Sequence, residues 1–202
     1  MNLKNALHHI VRPIHQRRWR RQFHNPTLSV FSSNCVGACM LHDLGARFNS
    51  PFVNLYMSAA DYLTFLQDPH RYTSLPLEEI PSDGGYPMAR WGDLTLHLVH
   101  YPSVAAAQEA FARRIPRINY DNLYVIMVER DGCTYEDLLT FDRLPYAHKV
   151  VFTYRPYPAI ASAYCVGDFG ATDEVGNILK WDTALGHKRY DAFDFATWLN
   201  EQ

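Results

Sequence analysis

No stretch of this chain approaches the roughly 20 consecutive apolar residues that cross a bilayer, so the pattern excludes a membrane-spanning helix. Gly-x-Gly-x-x-Gly, Walker-type Gly-Lys-Ser/Thr, Gly-x-Ser-x-Gly and His-Glu-x-x-His are all missing. The dinucleotide, P-loop, serine-hydrolase and zinc-protease chemistries that those motifs signal are therefore not expected. Cysteine is sparse: Cys35, Cys39, Cys133 and Cys165 lack regular spacing and no secretory signal precedes them. That reads as reduced thiols in a cytoplasmic protein rather than a disulfide framework. Cys35 and Cys39, with His42 nearby, fall short of the four ligands in recognisable pairs that a zinc site needs, so no metal is expected. Acidic residues are absent from positions 1 to 24.

That last absence reveals a charge asymmetry which the overall −2 conceals. Residues 1–24 hold Lys4, Arg12, Arg17, Arg18, Arg20 and Arg21, or +6; the remainder, with 13 basic against 21 acidic residues, carries −8. Leu3, Leu7, Ile10 and Ile14 recur at helical spacing in the basic segment, and Trp19 and Phe23 follow. A basic amphipathic segment suits an anionic membrane surface, on the inner face for a cytoplasmic protein. It equally suits packing on its own acidic domain. Pro13 is expected to interrupt the helix. Nucleic acid is not an expected partner, since the body is acidic and no binding module follows.

Residues 25–202 read as a single α/β domain; 48% hydrophobic and 14% aromatic residues in 202 suffice for one full core. Leu28–Phe31 reads as a strand, followed by a helix from Cys35 to about Leu44, and a second strand runs to Met57 after the turn at Asn49-Ser50-Pro51. Ser58 caps a helix over Ala59–Gln67. Residues 70–87 are rich in turn residues, including Asp83-Gly84-Gly85. Met88–Trp91 and Leu94–Tyr101 form a hairpin through Gly92-Asp93. Ser103 caps a helix to Arg114, Leu123–Val128 is a dense apolar strand, and Thr134 with Asp137 opens a helix to Phe141. Strands follow at Lys149–Tyr154 and Ala163–Val166, then a Gly-rich loop over 167–176 and a helix over Asp194–Asn200. Strands alternating with helices predict a three-layer α/β/α, Rossmann-like domain with a mixed, mainly parallel sheet.

In such sheets ligands bind beyond the carboxyl ends of the strands. Asn34 and Cys35 follow the first strand, Asn54 lies in the second, His100 and Tyr101 close the Leu94 run, and Asp131 follows the Leu123 run. Parallel strands would bring Cys35, His100 and Asp131 together as nucleophile, base and orienting carboxylate. Cys35 at a helix start would have its thiolate stabilised by backbone N–H groups and the helix dipole. His97, three residues before His100, is the competing histidine. Arg113, Arg114 and Arg117, in a segment that continues through Asn119 to Asn122, offer bidentate grips for a phosphate or carboxylate.

Ser33-Asn34-Cys35-x-Gly37, Phe48-Asn49-Ser50-Pro51, His97-Leu98-Val99-His100-Tyr101, the run from Arg113 to Asn122, Asp131-Gly132-Cys133-Thr134, Phe141-Asp142-Arg143-Leu144-Pro145 and Lys149–Thr153 occur in an order that resembles one bacterial family, catalogued as domain of unknown function 1919. The resemblance covers about residues 28–166 and departs at Ser33 and Ala38, where a second asparagine and a second glycine are expected. It implies a three-layer α/β fold and a link to exopolysaccharide or capsule biosynthesis; it implies no reaction. The leading expectation is a transferase, acyl in type, with Cys35, His100 and Asp131 as catalytic residues. Asn34, Asn54, His97, Tyr101, Arg113, Arg117 and Asn119 would contact a small-molecule or lipid-linked saccharide and its donor, for example the phosphates of coenzyme A. The alternatives are a glycosyl- or phospho-sugar transferase using a nucleotide sugar, with Cys35 merely packing, or a non-catalytic assembly protein docked on the membrane through residues 1–24.

Overall fold

Strand β5 (Leu123–Val128) has all six residues buried, which only the centre of a sheet covered on both faces allows. It pairs in parallel with β1 (Ser29–Ser32) on one side and β6 (His148–Thr153) on the other, and β7 (Ala163–Cys165) completes the order β1-β5-β6-β7. The computed structural model describes residues 3–82, 84–167, 173–181 and 186–201. Asp83 of the expected turn, residues 168–172 of the Gly-rich loop, and the side chains of Leu3, Lys4 and Leu7 lie outside the described residues.

Alternation along β5 feeds two cores, because successive side chains point to opposite faces. Val125 and Met127 join Phe31 and Val151 beneath α3 (Ala59–Gln67), α5 (Val104–Arg114) and α6 (Tyr135–Arg143). Tyr124 and Ile126 join Val30 and Phe152 beneath α2 (Val36–Leu44) and α7 (Phe195–Trp198). The result is the expected three-layer α/β arrangement. Its caps are the ones legible in sequence: Ser58, Ser103 and Thr134 accept from the N–H groups of Asp61, Ala106 and Asp137, the last in a reciprocal capping box.

Parallel and antiparallel pairing are divided between two sheets. β3 (Met88–Trp91) and β4 (Leu94–His97) form the expected hairpin, but they pair with β2 (Glu78–Ile80) in a separate three-stranded sheet. β2 lies inside the stretch 70–87 that reads only as turns, and the short α4 (Pro69–Thr73) extends into it.

The second strand expected to end at Met57 does not form. The segment runs beside β1, yet side chains replace much of the ladder: Asn49 donates to Leu28 O (3.0 Å) and Ser50 to Val30 O (2.5 Å). Pro51 has no N–H to offer, and Asn54 takes a left-handed φ of 66°. Tyr56 then makes an isolated antiparallel bridge to His97, joining the small sheet to the main domain.

Helix α1 (Leu3–Gln22) continues through Pro13 despite an intrinsic cost of about 3 kcal/mol for proline in a helix interior. Tertiary contacts account for this. Arg12 is buried, paired with Asp43 and Asp191 and bonded to Tyr190 Oη (2.8 Å), while Trp19 packs on Phe195. The helix is thereby fastened to α2 and to the C-terminal residues of the same domain.

Candidate functional site

β1 and β5 are neighbours whose following helices leave on opposite sides of the sheet. α2 buries Val36, Met40, Leu41 and Leu44 against one face, and α6 buries Leu138 and Phe141 against the other. Diverging connections open a crevice at the carboxyl ends of the two strands. A cavity of about 410 Å³ lies there, lined by Asn34, Cys35 and Val36 after β1 and by Val128, Arg130 and Asp131 at the end of β5. Tyr56, Tyr86, Val99 and His100 form another wall, and residues 177–179 close it.

Cys35 occupies the N-cap position of α2, directly after the first strand. Its thiol is not the activated group that this position predicts. Burial, followed by the neighbouring Cys39, pushes the Cys35 thiol up to about 11, with contacts to the backbone of Asn54 and Leu55 opposing only in part. The helix N-terminus gives it little help, because Asn34 Oδ1 already accepts the Val36 N–H (3.1 Å) and Ser32 Oγ the Gly37 N–H (3.2 Å). The Sγ instead donates to Leu55 O at 3.6 Å, as a neutral thiol does.

Asp131 sits at φ 56°, and among the described residues only it and Asn54 carry positive φ without being glycine. Both border the crevice, and such backbone is retained where the surroundings enforce it. Burial raises the Asp131 pKa, opposed by Arg130, whose Nε lies 3.1 Å from the carboxylate. Glu129, one residue earlier, is buried and fixes this turn. Its carboxylate accepts from Tyr157 Oη (2.5 Å) and the Tyr154 N–H (3.0 Å), and its carbonyl from the Val175 N–H (2.7 Å).

His100 reaches the crevice by another route than the one expected. β4 ends at His97 and belongs to the small sheet, so no parallel strand of the main sheet delivers it. The chain turns after β4, and the His100 N–H donates to Asn54 O (3.3 Å), which leaves the imidazole exposed at the cavity wall. His97 is not among the lining residues. It stacks on Tyr56 at 4.2 Å and accepts or donates through Nδ1 with Tyr86 Oη (3.3 Å), while Tyr56 and Tyr86 share a hydrogen bond of 3.0 Å. Burial and the Tyr86 bond push the Tyr56 hydroxyl up to about 12.

A second cavity of about 380 Å³ shares Cys35, His100 and Leu179 with the first, making two lobes of one crevice. Its other walls hold Ala38, Cys39, His42, Phe48, Val53, Asn54, Arg114 and Lys188. The arginine that enters is Arg114, whose Nη1 donates to Tyr101 Oη at 2.7 Å. Arg113 and Arg117, the two expected to grip an anionic donor, do not line either lobe: Arg113 is exposed and faces Glu109, and Arg117 donates to Phe48 O (2.8 Å). Helical rotation separates Arg113 from Arg114, because adjacent positions on α5 point about 100° apart, and Arg117 lies in the turn beyond the helix.

Asn119 lies at the other edge of the sheet, before β5, where its N–H donates to Ser29 Oγ (2.9 Å) and its side chain caps a turn. Tyr101 serves Arg114 rather than the cavity. The residues missed in sequence are Tyr56, Tyr86, Asn177 and Lys188. Tyr86 lies in the turn-rich stretch and Lys188 near the C-terminus, and neither carries a local pattern that points to a site. Among the described residues no group of three or more His, Cys, Asp or Glu is arranged to hold a metal ion. None of the described helices is long and apolar enough to cross a membrane.

Comparison with known proteins extends the stretch from residue 28 to 166 that carries the resemblance. The model of the family described as Domain of unknown function (DUF1919) matches residues 6–200, taking in most of α1 and the C-terminal segment that holds Lys188. A protein of Haemophilus influenzae, described as an uncharacterized protein, is 41% identical over 198 residues, which is 98% of this chain and 96% of its own.

Proposed function

The chain belongs to the family of the Domain of unknown function (DUF1919), and from that premise we propose that it is a transferase acting on a saccharide in bacterial exopolysaccharide or capsule biosynthesis, by direct displacement without an enzyme-linked intermediate. The observation that carries this reading is Asp131, a half-buried carboxylate held in a left-handed turn at the diverging ends of β1 and β5, facing a cavity of about 410 Å³. That volume lies within the usual range for small-molecule sites. Amide, phenol and aromatic faces from Asn34, Tyr56 and Tyr86 are the groups that orient a polyhydroxylated ring.

In the proposed step an acceptor hydroxyl bound in the first lobe gives its proton to the Asp131 carboxylate. Its oxygen forms the new bond to the donor's electrophilic atom near Cys35 and His100. The bond to the leaving group breaks with its electron pair, and the leaving group departs through the second lobe. A raised carboxylate pKa improves a general base so long as the group is ionised at working pH. Cys35 packs and positions; a thiol pushed up to about 11 is almost entirely protonated at neutral pH, which favours this reading over acyl transfer through the sulfur.

The outward face of α1 supports a peripheral placement on the inner membrane surface for a cytoplasmic protein. Ile10 and Ile14 are 66% and 60% exposed, and the exposed Arg17, Arg18 and Arg21 continue the same face. Apolar anchors beside a basic stripe suit an anionic lipid surface.

Transfer from a panel of nucleotide-linked and phosphate-linked sugars to saccharide acceptors, followed by mass spectrometry, tests the reading. Asp131→Asn lowers the rate by about 10²-fold or more, the size of a general-base contribution, whereas Cys35→Ser stays within roughly threefold. Loss of transfer in Cys35→Ser, with Asp131→Asn unaffected and an acyl adduct on Cys35 in the intact mass, would instead establish the covalent acyl route.

A further inference from the structure

We propose that the second lobe is an anion site that takes a phosphate or diphosphate group, gripped by Arg114 and Lys188 across from Cys35 and His100. As an identification of the donor's leaving group it rests on the transferase reading; as a binding site it stands alone.

The lobe is lined by two cations and by no carboxylate. Arg114 and Lys188 are those cations, and Arg117 is tied to the carbonyl of Phe48, another of its walls. Among the described residues none of Arg47, Arg114, Arg117 and Lys188 has a carboxylate within ion-pair distance, although residues 25–202 carry a net −8. Asp43, beside His42, is taken by Arg12, Tyr190 and Gln16. Like charges held this close repel, and the effect is visible on Arg117, whose pKa is lowered by burial and then by Arg47, Arg114 and Arg113. The Arg117 Nε is also buried without a hydrogen-bond partner.

The principal cation is held ready. Tyr101 Oη takes one of the five N–H donors of Arg114, and the guanidinium lies 5.8 Å from the Phe48 ring. The remaining fork matches a phosphate edge. Lys188 lies against Trp181 and Tyr190, with Nζ 5.5 and 5.4 Å from their rings, and adds a second positive charge to the lining. The first lobe differs: its carboxylate, Asp131, is paired with Arg130 and sits among two phenols. A donor lying across Cys35 and His100 would therefore place its phosphate among the cations and its sugar beside the carboxylate.

Calorimetric titration of the full chain with inorganic pyrophosphate, and separately with inorganic phosphate, tests the site. Saturable one-site binding is expected, weakened at least tenfold by Arg114→Gln and several-fold by Lys188→Gln, and unchanged by Arg18→Gln on the outer face of α1. Arg114→Lys, which keeps the charge and loses the fork, should fall between. Thermal melts identify any variant that has lost its fold, and Lys188→Gln serves where Arg114→Gln has. Absence of saturable binding overturns the proposal, as does equal weakening by Arg18→Gln or wild-type affinity in both Arg114→Gln and Lys188→Gln. Failure here with Asp131-dependent transfer intact removes the anion site alone. Pyrophosphate binding with transfer indifferent to Asp131→Asn removes the transferase reading alone.

Discussion

Asp131 and Cys35 adjoin the same cavity, and burial raises the pKa of both, with opposite consequences. A carboxylate whose pKa is raised by burial is a stronger base in its ionised form, whereas a thiol raised to about 11 is removed from nucleophilic use. The proposed rate should therefore fall on acidification as pH drops through the raised Asp131 value, above the point where an ordinary aspartate would titrate. Alkylation of Cys35 should be slow at neutral pH and accelerate only as pH approaches 11. Gly37 supports this arrangement by bringing α2 against β1. A Cβ there would stand 2.8 Å from Ser32 Cβ and 2.9 Å from Val30 Cγ1. Gly37→Ala should cost about 1–3 kcal/mol by overpacking, read in a denaturant melt, and should disturb the amide signals of Asn34 and Cys35. The place of Cys35 at a strand–helix junction is legible in its sequence because β-formers give way to small polar residues. Its ionisation is not, since that depends first on how deeply the fold buries the thiol and on the nearby Cys39, and only then on the backbone of residues 54–55.

Among the elements, α1 shows how a local signal can be outweighed. Pro13 reads as a break in the helix, and the basic run suits a lipid surface and the acidic domain equally; Arg12 inserts between Asp43 and Asp191 and ties the unbroken helix down. Removing one member of a buried ion-pair cluster typically costs about 3–5 kcal/mol, so Arg12→Ala should produce a large loss in chemical melts. Deletion of residues 1–22 should destabilise the domain rather than leave it intact. Acid should act through the same cluster. Burial raises the Asp43 pKa, but bonds from Tyr190 and Gln16 and the charge of Arg12 outweigh it, so the folded value lies below the unfolded one. Its stabilisation is complete above the ordinary aspartate range and disappears as pH falls through the depressed folded value.

The opposite face of α1 makes a separable prediction: Ile14→Asp with Arg17→Glu and Arg18→Glu should abolish co-sedimentation with anionic vesicles while the melting temperature stays constant. Salt should weaken wild-type binding, since the screening length is about 10 Å at 0.1 M. Helices α3, α5 and α6 are readable because each begins with a capping residue and carries one apolar face. β2 and α4 are not, because three exposed-to-intermediate residues and a single helical turn leave no periodicity to detect. The strand expected to end at Met57 fails for a related reason: its apolar pattern is strand-like, and the polar pair Asn49-Ser50 takes over the hydrogen bonds that a ladder would make.

At the scale of the whole molecule, the crevice follows from chain direction. Two adjacent parallel strands send their helices to opposite faces, and the loops that flank β3 and β4 of the small antiparallel sheet line the gap with Tyr86, Val99 and His100. The positional rule for open α/β sheets foretells the residues after β1 and β5. It says nothing of Tyr86, Asn177 or Lys188, which arrive from elements outside the main sheet. The central claim is that this two-lobed crevice binds a phosphate-linked saccharide, and mapping such a ligand onto the amide NMR spectrum of the full chain tests it most directly. With a nucleotide-linked sugar as probe, saturable shifts are expected at residues 34–36, 54–56, 99–100, 130–131 and 177–179, and at Arg114 and Lys188, with residues 10–21 unmoved. Shifts confined to the outer face of α1, or none at millimolar ligand with a series of such sugars, would contradict it.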